Sequence, residues 1–168
     1  MICQIRPWKL EDAPALAKVL NNPRVLENLR DGLPYPYTRK DAENYIRFVR
    51  AAEPDRMFAF AVTVDGCVAG SISVSRQENI HSRTGEVGYY LARKYWGKGY
   101  MTEAVCQLCD YVFKGSDILR LYAEPFARNI ASCRVLEKAG FQLEGTLRCN
   151  AVKKGEILDM KLYARIKE

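Results

Sequence analysis

The chain has 168 residues, of which 48% are hydrophobic and 27% charged, and its net charge is +6. That length fits one domain with its own core, residues 1–168, and the composition excludes a disordered chain. The opening residues do not resemble a signal sequence, and no apolar run reaches the roughly 18 residues that a membrane span needs. We therefore expect a cytoplasmic protein that contacts no membrane.

The positive charge is compatible with a nucleic acid, an acidic partner or an anionic cofactor. Lysine and arginine are spread along the chain instead of clustered, so we expect no nucleic-acid partner. Cys106 and Cys109 have a C-x-x-C spacing, but they lie in a helical pattern without a second pair or a nearby histidine. We interpret them as buried free thiols and predict no metal site.

The first third of the chain predicts one strand and three helices. Met1 to Arg6 is a short strand, and Asp12 can cap the helix that follows it. Pro23 suits the first turn of a short second helix, and a third helix runs from its cap at Thr38 towards Ala52. The chain thus begins with the order β-α-α-α.

The segment Leu33–Tyr37 lies before the third helix and contains two prolines, which make it extended and stiff. One interpretation is a plain connecting loop. The other is a wall of a substrate pocket, because Tyr35 and Tyr37 would offer rigid rings that carry hydroxyl groups.

The middle of the chain predicts antiparallel sheet. Met57 to Val64 is a strongly apolar strand, an Asp-Gly pair makes a two-residue hairpin turn, and Cys67 to Val74 is the returning strand. Gln77 to Thr84 is a polar loop that carries the single histidine, His81, which we interpret as solvated. The next strand runs from Glu86 to Leu91.

The strand that begins at Glu86 leads into a basic turn with two glycines. Gly97 and Gly99 tolerate backbone angles that other residues resist, and they leave room for a ligand beside the backbone. A helix follows, and the free amides at its start favour an anion. Lys94 and Lys98 add positive charge, so the turn predicts a phosphate site. It is not a Walker loop, because glycine follows Lys98 where that loop needs serine or threonine.

Two helices and three strands complete the chain. The apolar spacing from Met101 to Phe113 predicts an amphipathic helix, and Asn129 to Gly140 predicts another with a cap at each end. In a fifth strand, Leu119 to Ala123, the odd-numbered residues face the core. A sixth strand begins at Phe141, and in the last strand, Leu158 to Ile166, the even-numbered residues face the core. The order predicts an α/β (mixed α+β) fold with one central mixed sheet of six to seven strands and helices on both faces.

Two segments resemble the GNAT acetyltransferase superfamily. Lys94-Tyr95-Trp96-Gly97-Lys98-Gly99 is similar to its Q/R-x-x-G-x-G/A acyl-CoA signature, with lysine at the first position. The segment Asn129–Phe141 resembles the N-x-x-S-x-x-x-x-E-K-x-G-F motif of the branch that contains the ribosomal-protein N-terminal (alanine/serine) acetyltransferases. The element order and the closing segment Leu162–Ile166 are also similar to this branch, so the resemblance extends over nearly the whole chain.

The resemblance implies acetyl-CoA as co-substrate and no metal. The pyrophosphate would lie against the amides of residues 97 to 102, and the pantetheine arm would pair with the strand that carries residues 89 to 91. The thioester carbonyl would then meet an amide near Tyr90 or Leu91. The residues expected to contact the cofactor are Tyr89, Tyr90, Leu91, Lys94, Trp96, Gly97, Lys98, Gly99, Tyr100, Met101, Thr102, Asn129 and Ser132.

The resemblance also suggests catalytic residues. The family uses a carboxylate near Glu86 to accept the amine proton, directly or through water; the alternative is an ion pair with Arg83 or another cation. Ser132 faces the expected position of the coenzyme sulfur and could protonate the thiolate; the alternative is a hydroxyl that satisfies amides at the helix start. Asp159 is a second candidate base. The candidate acceptor-binding residues are Tyr35, Tyr37 and Asp159.

These expectations together describe an N-acetyltransferase. It would move acetyl from acetyl-CoA to a primary amine, either a protein N-terminal α-amine or a small-molecule amine, by direct attack on the thioester. The alternative is a non-catalytic acyl-CoA-binding module with a GNAT-like fold. No glutamate occurs between Arg148 and Val152, where a relative of this branch can carry an acidic residue, so the acceptor stays open. We expect a monomer or a homodimer.

Overall fold

A computed structural model describes residues 1–168 and contains one seven-stranded sheet. The strands are β1 (Cys3–Pro7), β2 (Met57–Val64), β3 (Cys67–Arg76), β4 (Thr84–Leu91), β5 (Arg120–Ala123), β6 (Gln142–Lys153) and β7 (Glu156–Ile166). They lie in the order β1-β2-β3-β4-β5-β7-β6, and every neighbouring pair is antiparallel except β4 and β5. The predicted mixed sheet is confirmed.

Five helices pack against this sheet. They are α1 (Ala13–Leu20), α2 (Pro23–Leu26), α3 (Arg39–Ala51), α4 (Tyr100–Gly115) and α5 (Ile130–Lys138). Val62 of β2 belongs to the core under α4 and α5, whereas its neighbour Ala61 belongs to the core under α1, α2 and α3. Because β2 is buried on both faces, its sequence is apolar except for Thr63. None of the helices combines the length and the apolar character needed to cross a membrane.

The side chain of Asp12 joins β1 to the chain that leads into α1. Arg6 Nη1 and Nη2 donate to the two Asp12 carboxylate oxygens at 2.7 and 2.9 Å, and the Lys9 amide donates at 2.9 Å. The predicted side-chain cap of α1 is wrong, because these donors already hold the carboxylate. Burial by itself would raise the pKa of Asp12, but Arg6 and the Lys9 amide hold it below its usual range.

We expect Asp12→Asn to lower the free energy of unfolding by about 2 kcal/mol at neutral pH, because the charge-assisted bonds to Arg6 are lost. A carboxylate whose pKa is depressed by folding stabilises the protein above its unfolded pKa of about 3.9, and this stability is lost as the pH falls further. Urea unfolding should therefore show that the free energies of unfolding of the wild-type protein and Asp12→Asn differ less in acid than at neutral pH. A difference that is constant with pH would contradict the ion-pair explanation.

The alternation predicted for β7 is wrong in its second half. Met160 is buried as predicted and packs near Phe126, but Tyr163 is also fully buried, and Ile166 is 55% exposed. Near its end β7 is buried on both faces, since Ala164 is buried as predicted and α5 covers the opposite face at Tyr163, whose hydroxyl donates to Glu137 Oε1 at 2.9 Å. Where a strand is buried on both faces, odd-numbered and even-numbered residues are both buried.

The fifth strand is one residue shorter than predicted. Leu121 and Ala123 are buried as expected, but Leu119 lies before β5 and is 41% exposed. Its amide donates to the Arg83 carbonyl at 2.8 Å, so it leads into the strand without entering the buried layer.

The parallel strands β4 and β5 separate in the middle of the sheet. They pair from Thr84 opposite Arg120 to Glu86 opposite Tyr122, and the pairing ends there. Strand β4 continues to Leu91, while β5 ends one residue after Tyr122. The resulting gap lies at the carboxyl ends of both strands, which is where ligands bind in open sheets with parallel strands.

Candidate active site

A cleft of about 940 Å³ occupies the gap between β4 and β5. Its walls are the second half of β4, the glycine turn with the start of α4, the segment after β5, the start of α5, and residues 28–33. The predicted cofactor residues that line it are Tyr89, Tyr90, Leu91, Trp96, Gly97, Gly99, Tyr100, Met101, Thr102, Asn129 and Ser132.

The glycine turn presents free backbone donors to this cleft. Gly97 has a φ of 70° and Gly99 a φ of 82°, a region that favours glycine, and no other atom lies within 4 Å of where their side chains would begin. The amides of residues 97 to 102 donate to no other group of the protein. The turn can therefore accept an anion at the start of α4 without displacing an internal hydrogen bond.

The two lysines of the turn lie outside the cleft lining. Lys98 Nζ donates to the Lys94 carbonyl at 3.0 Å, and Lys94 Nζ lies 4.8 Å from the centre of the Tyr95 ring. Both side chains are exposed, so they raise the positive potential around the turn without contacting the enclosed space. Trp96 holds the turn against the end of β4, because its Nε1 donates to the Leu91 carbonyl at 2.7 Å.

A pair of hydroxyl groups joins β4 to α5 inside the cleft. The Tyr89 hydroxyl lies 2.7 Å from Ser132 Oγ and 3.2 Å from the Ser132 carbonyl, to which it donates. Asn129 Oδ1 caps α5 by accepting from the Ser132 amide at 3.3 Å. The Ser132 hydroxyl is therefore not needed as a helix cap. Burial raises the pKa of the Tyr89 hydroxyl well above its ordinary value.

Glu86 lies at the last position of β4 that pairs with β5, and it also lines the cleft. Its carboxylate forms an ion pair with Arg30 and accepts from the Tyr122 hydroxyl at 3.4 Å. Arg83, which the sequence offered as a partner, pairs with Asp117 at 3.7 Å instead. Burial and the neighbouring Glu86 carboxylate together raise the pKa of Tyr122 to about 12, so this hydroxyl remains a donor.

A second cavity of about 460 Å³ adjoins the cleft, and we call it the side cavity. Both spaces share Arg30, Asp31, Glu86, Glu124, Phe126 and Met160. The outer wall of the side cavity is residues 150–153 of β6. Lys153 fixes this wall, because its Nζ donates to the Leu29 carbonyl at 2.6 Å and to Asp31 Oδ1 at 3.0 Å.

The three predicted acceptor-binding residues lie outside both cavities. Tyr35 is 64% exposed, and Tyr37 is buried in the second core, where its amide donates to Asn21 Oδ1 at 2.7 Å. The exposed Asp159 accepts from the Cys149 amide at 2.8 Å and so supports the irregular part of β6. Of the segment Leu33–Tyr37, only Leu33 lines the cleft, together with residues 28–32 that precede the segment.

Sequence reasoning missed Arg30, Asp31, Glu124 and Lys153, the four charged residues that line the side cavity together with Glu86. One signal was present for Glu124. It directly follows β5, at the carboxyl end of a strand parallel to the one that leads into the glycine turn. The other three come from distant parts of the chain, and no local pattern marks them.

Comparison with known proteins agrees with the fold. The family described as "Acetyltransferase (GNAT) domain" matches residues 3–142. The uncharacterized N-acetyltransferase p20 of Bacillus licheniformis is 29% identical over 167 residues, which cover 97% of this chain and 92% of that protein. The ribosomal-protein-S5-alanine acetyltransferase from Vibrio fischeri superposes with a TM-score of 0.86 at 28% identity, covering 99% of this chain and 93% of its own.

A further solved structure contains a coenzyme. RimJ of Mycobacterium smegmatis, in complex with CoA-disulfide, has a TM-score of 0.87 at 25% identity and covers 98% of this chain and 81% of its own. The divided sheet, together with these similarities, defines an N-acetyltransferase. The chain belongs to the GNAT acetyltransferase family, and its homologues include a ribosomal-protein-alanine acetyltransferase.

Proposed function

We propose that this protein transfers acetyl from acetyl-CoA to a primary amine by direct attack of the amine on the thioester. One observation carries the proposal: the free amides of the glycine turn and the Ser132 hydroxyl line the same cleft. The first group suits a pyrophosphate, and the second suits a leaving thiolate. A cleft of about 940 Å³ has room for both donor and acceptor groups.

The donor would lie along β4. Its pyrophosphate would accept from the amides of residues 97 to 102, helped by the positive potential of Lys94 and Lys98. The pantetheine arm would follow residues 89 to 91, and its thioester would lie between Tyr90 or Leu91 and Ser132. The open space above Gly97 and Gly99 supports this placement.

Gly99→Ala should weaken acetyl-CoA binding by at least about tenfold, a loss of about 1.4 kcal/mol. The new methyl group would occupy the open space beside the free amides, and the left-handed backbone costs an L-residue about 1–2 kcal/mol. Titration calorimetry measures the affinity. Gly66→Ala is the matched control, because Gly66 has a φ of 81° in the β2–β3 turn, outside the cleft. Equal affinities in the two variants would contradict the assignment of the turn.

Proton transfer to the leaving sulfur is assigned to Ser132. As the new C–N bond forms and the C–S bond breaks, the Ser132 hydroxyl would donate its proton to the thiolate. Tyr89 stays protonated at neutral pH, because burial raises its pKa, and its hydroxyl lies 2.7 Å from Ser132 Oγ. Tyr89 can therefore hold Ser132 in position, and water that enters the cleft when CoA leaves would return to Ser132 the proton that it gave to the sulfur.

Proton removal from the amine is assigned to Glu86, directly or through water. Its carboxylate faces both the cleft and the side cavity, so an amine that enters from the side cavity passes it. Arg30 already pairs with this carboxylate, and an incoming ammonium would compete with the guanidinium. Because Arg30 is 65% exposed, it can move towards water at little cost.

The acceptor is either a protein N-terminal α-amine or a small-molecule amine. The names of relatives that act on ribosomal proteins support the first class. All six cysteines are free, which supports a reducing compartment such as the cytoplasm for this reaction.

A screen for released CoA thiol tests the proposed function. The purified protein and acetyl-CoA are incubated with small primary amines, polyamines, antibiotics that carry amines, and peptides with free amino termini. We expect thiol release that depends on one class of amine and yields the acetylated amine. Tight acetyl-CoA binding without release for any amine would instead support the non-catalytic module.

A further inference from the structure

Four of the five charged side chains that line the side cavity neutralise one another. Arg30 pairs with Glu86, and Lys153 pairs with Asp31 at 3.0 Å. Glu124 forms neither an ion pair nor a hydrogen bond with any group of the protein. The cavity therefore retains one uncompensated negative charge.

The position of Glu124 places this charge where the two cavities meet. Glu124 is half-buried, directly follows β5, and lines both the cleft and the side cavity. It is two residues beyond Tyr122, whose hydroxyl bonds to Glu86. Burial raises the pKa of Tyr122 most, and the Glu86 and Glu124 carboxylates raise it further. The three groups form an acidic corner at the entrance from the side cavity to the cleft.

We propose that Glu124 binds the ammonium group of the acceptor, and that the preferred acceptor carries a single positive charge. This inference rests on the proposed function, in which a primary amine enters through the side cavity. Primary amines are cationic at neutral pH, and a half-buried carboxylate without a partner gains from a bound cation. Glu124 thus holds the amine beside Glu86, which takes its proton.

The two cations of the side cavity limit the acceptor further. Arg30 lines both cavities and Lys153 lines the side cavity; when the amine displaces Arg30 from Glu86, the guanidinium is no longer neutralised and would repel a second positive charge on the acceptor. Asp31 is engaged with Lys153, and Glu86 receives the reacting amine once Arg30 moves aside, so no carboxylate of the side cavity is left for a second ammonium group. The charge pattern fits the free N terminus of a peptide with uncharged side chains better than it fits a polyamine.

The test compares Glu124→Gln with the wild-type protein. The probes are a hexapeptide that has a free amino terminus, uncharged side chains and an amidated end, and spermidine. Calorimetry measures the affinity of each probe for the CoA-bound protein, and steady-state assays measure KM and kcat for the peptide. We expect Glu124→Gln to weaken peptide binding and raise its KM by at least about tenfold, with acetyl-CoA affinity unchanged.

Two further variants make the result specific. Glu124→Asp keeps the charge and should retain more peptide affinity than Glu124→Gln. Glu53→Gln removes a carboxylate that is 77% exposed and outside both cavities, and it should change neither affinity. Unchanged acetyl-CoA affinity in every variant shows that each one is folded.

The failure of this inference can be told apart from the failure of the proposed function. Peptide acetylation with the same KM in Glu124→Gln would overturn the ammonium site and leave acetyl transfer standing. Peptide binding that depends on Glu124, without any CoA release, would support the site and overturn acetyl transfer to this probe. Tighter binding of spermidine than of the peptide, or no peptide binding to the wild-type protein, would overturn the inference.

Discussion

Replacing Ser132 by alanine should lower kcat by about 100-fold while acetyl-CoA binds nearly as before, which is the range expected for loss of a general acid. The thiolate would then have to leave unprotonated or take its proton from water. The Ser132 amide stays capped by Asn129 in this variant, so α5 keeps its start. Steady-state kinetics with the best amine gives kcat, and calorimetry gives the acetyl-CoA affinity.

Tyr89→Phe provides the comparison for Ser132→Ala. It removes the hydroxyl that holds Ser132 but leaves the proposed proton donor in place, so its loss in kcat should be smaller. An unchanged kcat in Ser132→Ala would remove Ser132 from the acid role. A loss that lies entirely in acetyl-CoA affinity would make it a binding residue instead.

Replacing Glu86 by glutamine should lower kcat/KM for the amine by about 100-fold and change its dependence on pH, because a general base is removed from the path of the amine. The amide remains able to accept from Tyr122, so the local hydrogen bonding is kept. A pH series of initial rates at low amine concentration measures the effect.

Asp159→Asn is the matched comparison for Glu86→Gln, since Asp159 is the other candidate base. Asp159 lies outside both cavities and accepts from the Cys149 amide, so its variant should keep the wild-type pH profile. If Glu86→Gln kept that profile and Asp159→Asn lost it, the base assignment would be reversed.

The parts of the site that came from the sequence are those encoded by contiguous residues. Gly97 and Gly99 mark a turn whose backbone geometry needs glycine, and residues 129 to 141 contain both the cap of α5 and Ser132. Such features depend on local backbone preferences, which can be predicted from a few neighbouring residues. The fold could be predicted for the same reason, because periodicity and turn residues predicted all twelve helices and strands in their correct order.

The parts that could not be predicted depend on contacts between distant residues. Tyr37 turns into the second core because Asn21, 16 residues away, binds its backbone. Glu86 meets Arg30 across 56 residues, where the sequence suggested the nearby Arg83. Ion pairs of this kind follow from how the loops pack, and no periodic pattern records them.

The same limit explains why the acceptor was not accessible from the sequence. The proposed donor site is one turn and one helix start, whereas the side cavity combines residues 30–31, Glu86, Glu124 and residues 150–153. Only the folded chain brings these segments together. The uncompensated charge of Glu124 then becomes visible, because its neighbours are already paired.

The most direct test of the central claim is a single-turnover experiment with the protein–acetyl-CoA complex. The complex is mixed with the amine found in the thiol screen, and mass spectrometry follows CoA and acetylated amine together. The account predicts that both products appear at the same rate and in equal amounts, and only when the amine is present. Release of CoA without acetylated amine, or acetyl transfer that proceeds first onto the protein, would contradict direct attack of the amine on the thioester.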